Sequence, residues 1–235
     1  MKIRAIILSA LILCGISAVI MYSRAAQPQQ KSSVITQAIN DKNSPMVIKN
    51  LILKMKEQME VNDDQFPELI KEVENYTNSL ADSASVAVLH SMLAEMYQNY
   101  YQRNQWTINQ RTQLSGYIPE DIRVWTSNLF TDKIKEEIDL SLRPTALLQN
   151  TPVSKFKDIL EIGKDSQTLR PTLYEFLAFR ALDIQPTVQI YKDLIAFQNK
   201  EPNMKSVLLT ELDYLRFLYG DKRDKESFEA YMNAL

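Results

Sequence analysis

An all-α fold follows from three features of this 235-residue sequence. Apolar residues recur at steps of three and four through most of the chain, as on amphipathic helices. Only four glycines are present, and the nine prolines fall mostly where helices could start. No stretch alternates apolar and polar residues as a half-buried strand would. Short connections between successive helices predict antiparallel helical hairpins in a solenoid-like, tetratricopeptide-like layer. No clean repeat signature is present, so this expectation concerns packing and not a motif.

The N-terminus is set apart. Lys2 and Arg4 precede the apolar run Ala5–Tyr22, and Ser23-Arg24-Ala25 supplies a small-x-small exit. This pattern predicts an export signal over residues 1–25. An uncleaved membrane anchor is the competing reading, since eighteen helical residues rise about 27 Å. Lipidation of Cys14 is a third, opposed by the bulky Leu13 before it. All three place the body outside the cytosol, in the periplasm or cell envelope, with any membrane contact confined to this segment. A polar linker follows over 26–33, and a helical domain over 34–235.

Within that domain Val34, Ile35, Ala38 and Ile39 suggest a short helix. Ser44-Pro45 reads as an N-cap followed by a first-turn proline. The next helix carries Val47, Ile48, Leu51, Ile52, Met55 and Met59 on one face, and Asn62-Asp63-Asp64 ends it. A helix over Gln65–Leu80 follows, with Phe66, Leu69, Ile70 and Val73. The stretch Ala87–Arg111 is the most strongly patterned. Its Val88, Leu89, Met92, Leu93, Met96, Tyr97, Tyr100 and Tyr101 form one broad apolar face, which makes it the expected central rib. Thr107–Tyr117 reads as a loop or short helix.

Pro119-Glu120-Asp121 looks like the first turn of a helix running through Trp125 and Phe130 to Leu142. Arg143–Asn150 is expected to be a connection. Thr151-Pro152 should start a helix through Ile162, capped by Gly163. Before the next helix, a first-position proline at Pro171 competes with a Thr172/Glu175 capping box, and the spacing does not decide between them. That helix should bury Leu173, Phe176, Leu177, Ala181, Ile184 and the stem of Arg180. Its partner spans Pro186–Phe197. Met204–Tyr219 is a further helix, and Phe228, Tyr231 and Leu235 mark a last amphipathic segment. The strongest internal breaks lie around Gly116 and Arg143–Asn150.

The charge balance bounds function. Loss of residues 1–25 would leave 24 basic and 29 acidic side chains, a net charge of −5. Nucleic-acid binding needs a basic stripe, so none is expected. The single cysteine lies in the N-terminal run, so the body is expected to form no disulfide and no thiolate metal site. His90, the only histidine, reads as a packing residue beside the buried stripe. The pairs Asp63/Asp64, Glu120/Asp121 and Glu136/Glu137 read as solvated or helix-starting carboxylates, because helical neighbours point about 100° apart. No catalytic residue, cofactor or metal is expected. Tyr97, Tyr100, Tyr101 and Trp106 cluster in sequence with Arg103 and Arg111. They form either a groove for a protein partner or, the stronger reading, core and rim packing with phenols reaching partners at the edge.

The stretches LHSMLAEMYQNYYQRNQWTINQRTQLSGYIPEDIRVWTSNLF (Leu89–Phe130) and LRPTLYEFLAFRALDI (Leu169–Ile184) closely resemble the N-terminal helical region of the very large α2-macroglobulin-like proteins of Bacteroidetes. The likeness continues through IYKDLIAF (Ile190–Phe197) and LDYLRFLYG (Leu212–Gly220). In that family such helices follow an export signal and precede many β-sandwich macroglobulin domains, and some members carry a Cys-Gly-Glu-Gln-type thioester that traps proteases. Leu235 comes before any macroglobulin domain, and no thioester cysteine is present, so no functional residue of the family maps onto this sequence. The resemblance implies a non-enzymatic helical scaffold or interaction module, truncated or standing alone. The alternative is an independent tetratricopeptide-like envelope adaptor that binds a protein partner.

Overall fold

The computed structural model describes residues 43–61, 65–112, 117–160, 163, 165–200 and 203–220, with 226, 229 and 233. Among them every named element is a helix or a helical turn, and the one ladder pair is an isolated bridge from Pro152 to Thr172. The fold is all-helical. The N-terminal run, the Val34–Ile39 segment, and Phe228, Tyr231 and Leu235 lie outside the described residues.

The chain divides into two units at Glu57/Gln58. The first, described from Asn43, holds most of α1 (Ser44–Val61). Val47, Ile48 and Leu51 are buried along that helix, as the spacing predicts. Its cap is Asn43 and not Ser44. The Asn43 side-chain carbonyl accepts the Met46 amide at 3.3 Å, and its backbone carbonyl accepts Met46 and Val47, which leaves Ser44 and Pro45 in the first turn.

The second unit is built on α2 (Phe66–Ser79) and α3 (Ser83–Ile108). Pro67 occupies the first turn of α2, where a missing amide costs nothing. Phe66, Leu69, Ile70 and Val73 of α2 are buried, and Leu89, Leu93, Met96 and Tyr97 do the same along α3. Phe66 meets Tyr100, and Glu74 meets Tyr97, so the two helices run antiparallel. Met92 is only half-buried, because the inward face of α3 centres on Leu89, Leu93 and Met96.

The single helix expected from Pro119 is two pieces. Asp121 accepts the Arg123 amide at 2.9 Å and starts a 3-10 turn, Ile122–Val124. Trp125 is extended, and its indole N–H reaches back 2.6 Å to the Pro119 carbonyl. The helix proper, α4 (Ser127–Leu142), begins only after that fold-back. His90 pairs with Glu137 and Tyr97 packs on Phe130, so α4 is antiparallel to α3.

The expected connection at Arg143–Asn150 contains a short helix, α5 (Thr145–Gln149). Over the described part of the helix expected at residues 152–162, no α-helix forms through residue 160. The Val153 amide donates to the Pro171 carbonyl at 2.9 Å and the Leu173 amide to Thr151 at 2.8 Å. That pairing holds the chain extended, and only a 3-10 turn, Val153–Phe156, follows.

After α6 (Ser166–Leu169), the capping box decides the start of α7 (Leu173–Ile184). The Thr172 hydroxyl oxygen accepts the Glu175 amide at 3.3 Å, and the Glu175 carboxylate accepts the Thr172 amide at 3.1 Å. The buried side of α7 is Leu173, Tyr174, Leu177, Ala178, Ala181 and Leu182. Phe176 and Ile184, expected in the core, are half-buried, because α7 turns the Tyr174–Ala178 row inward as well. Arg180 lies over Phe176 and reaches Ser91 and Glu95 of α3. α8 (Val188–Gln198) is capped by Thr187 and runs antiparallel to α7, with Tyr174 edge-on to Phe197 at 5.2 Å. α9 (Met204–Leu215) ends in a π turn, Arg216–Gly220.

Candidate functional site

The residues singled out by sequence separate in space. Tyr97 is 1% exposed. Its ring stacks on Trp125 at 5.6 Å and 8°, and its hydroxyl donates to Glu74 at 2.6 Å. Burial first, and then the Glu74 carboxylate, push this phenol far above its ordinary pKa. Tyr100 stacks on Phe66 and on Phe130. Tyr101 tilts against Phe130 and donates to Asn109 at 3.2 Å. Arg103 sits over the Phe66 ring at 5.8 Å. Arg111 donates to the Trp125 carbonyl at 2.8 Å and so fixes the fold-back before α4. These residues form one aromatic cluster around Phe130, with the arginines at its rim.

Trp106 stands apart from that cluster at 79% exposure. Its truncation to alanine should shift stability by no more than about 0.5 kcal/mol, read as the urea midpoint. A loss several times larger would mean the indole covers part of the fold.

A second grouping has no counterpart in the sequence pattern. Glu137 is 2% exposed, which overturns its reading as a solvated carboxylate. Glu136 and Glu137 do diverge, as their spacing requires, but the divergence sends Glu137 inward. His90 Nδ1 lies 2.6 Å from one oxygen, and Lys133 Nζ is 2.9 Å from the other. Burial alone would raise the Glu137 pKa. The His90 and Lys133 contacts outweigh it and hold the carboxyl below its usual range. His90 is thus the packing residue expected, tied to a carboxylate 47 residues away.

His90 also lines an open cleft of about 420 Å³ between α2, α3 and α4. Leu80, Val86, Leu140 and Pro144 supply apolar walls, and Arg143 stands at the edge. A second groove, about 540 Å³, runs between α8 and α9 past Lys192, Asn199, Glu211 and Tyr214. Beside it Tyr191 donates to Asp213 at 2.9 Å and stacks on Tyr214 and Phe217. Met204, Leu208 and Leu209 are exposed along α9.

No family model, curated protein or solved structure matches the chain. Among the described residues no three His, Cys, Asp or Glu side chains gather as a metal site would need. Among the same residues no helix is long and apolar enough to cross a membrane.

Proposed function

We propose that this chain is a non-enzymatic helical scaffold, exported to the periplasm or cell envelope, that serves a protein partner. By its resemblance we assign it to the N-terminal helical part of the α2-macroglobulin-like proteins. The observation that carries the scaffold reading is the seat of α7. It packs against both α3 and α4, the two arms of the preceding antiparallel pair, and then forms the next pair with α8. Each pair covering the last is how solenoid-like, tetratricopeptide-like arrays bury apolar faces that no single hairpin can bury alone. The exposed apolar row Met204, Leu208 and Leu209 on α9 supports the same reading, as a face on which a protein partner could dock.

Chemical cross-linking in the producing cells tests this. The expected product is one discrete adduct with a protein that carries macroglobulin domains. A discrete adduct with an unrelated envelope protein would replace the family assignment with an independent adaptor. Recovery from the cytosol as an uncross-linked chain would overturn the scaffold reading altogether.

A further inference from the structure

We propose that the cleft between α2, α3 and α4 is a binding site for a small amphipathic carboxylate, one anionic head on a short apolar chain. Three features of its lining select that chemistry. Its volume, about 420 Å³, falls within the roughly 300–1,000 Å³ of small-molecule sites. Leu80, Val86, Ala87, Leu140 and Pro144 give it aliphatic walls, and Thr77 and Ser83 complete the lining. Its one cation is Arg143, which forms no ion pair among the described residues. A guanidinium fork is the group best matched to a carboxylate.

The surrounding charges leave that role open to Arg143. Two acidic residues bonded to or beside the cleft lining, Glu137 and Asp82, are already engaged. Glu137 takes His90 and Lys133, and Asp82 takes Lys155 at 3.2 Å and the Ser85 hydroxyl at 2.6 Å. One helix-end carbonyl beside Arg143 is occupied too. The Thr145 hydroxyl covers that of Leu142. His90 offers a second polar contact. With Nδ1 held by Glu137, Nε2 is the ring nitrogen left for a ligand.

The single histidine gives a direct readout, because its imidazole proton signals are unique in the spectrum of the chain. Titration of the purified chain with octanoate should shift those signals saturably, while octanol, with the same tail and no charge, should not. Arg143 is exposed, so Arg143→Ala should keep the fold and weaken octanoate about tenfold or more. Leu140→Trp, which fills the cleft, should abolish the shift. A tripeptide ending in leucine, with its carboxylate free or amidated, separates the two sources of such a head. Binding of octanoate alone assigns a free fatty acid, and binding of the free peptide as well assigns chain termini. The proposal is overturned if neither probe shifts His90, or if Arg143→Ala leaves both affinities unchanged.

Discussion

Phe130→Ala should remove about 3–5 kcal/mol of stability, the upper range for truncating a buried aromatic side chain. Phe130 is fully buried at the meeting point of three segments. Its ring lies 5.3 Å from Trp125, 5.6 Å from Tyr100, 5.9 Å from Tyr101 and 6.4 Å from Tyr97. The surrounding rings are themselves fixed, Tyr97 by Glu74 and Trp125 by Pro119, so the cavity has little freedom to collapse. Against a typical stability of about 5–15 kcal/mol, such a loss would leave a large fraction of chains unfolded on warming. Urea denaturation checks this, with Phe130→Leu as the milder control. A loss under about 1.5 kcal/mol would show that the ring is not the keystone of this cluster.

The second large effect belongs to Glu137. Truncation to alanine strips His90 and Lys133 of their common acceptor and should cost about 2–3 kcal/mol, because both partners keep some access to water. The same carboxylate predicts a pH dependence of defined sign. Its pKa is lower folded than unfolded, so the unfolded chain binds the proton more readily. The stabilisation is therefore complete above the ordinary carboxylate range and drains away as pH falls through the depressed folded value. Glu137→Gln, which cannot ionise, should flatten that acid limb when urea midpoints are compared between neutral and acidic pH. An unchanged acid limb would place the sensitivity in other carboxylates.

Much of this architecture is written locally. The faces of α2 and α3 follow from the spacing of Leu69, Val73, Leu89 and Leu93, since a helix repeats its own geometry. The capping box at Thr172 was one of two readings, and only the observed hydrogen bonds separate them. What the sequence withheld is long-range. Nothing near Glu137 announces that its partner is His90, because that contact depends on how α4 lies against α3. The helix expected after Pro152 fails for a similar reason. Its first residues are claimed by Pro171 and Leu173, a pairing that no periodicity within residues 152–162 can reveal.

The aromatic residues followed the same rule. Tyr97, Tyr100 and Tyr101 share one helical stripe, which the spacing shows. Their gathering around Phe130 and Trp125 depends on the fold-back at Pro119. Trp106 lies one turn beyond that gathering, and its adjacency in sequence gave it an association that the three-dimensional arrangement does not.

Glu175 carries a consequence beyond its cap. One carboxylate closes the first turn of α7 and also accepts the amide of Gln198, at the far end of α8, at 3.2 Å. Both residues are buried, so neither contact can be exchanged cheaply for water. The beginning of one helix and the end of the next should therefore open as a single cooperative unit. In hydrogen exchange, the amides of these two distant turns should share one opening free energy. Glu175→Ala should uncouple them and let each fray at its own rate.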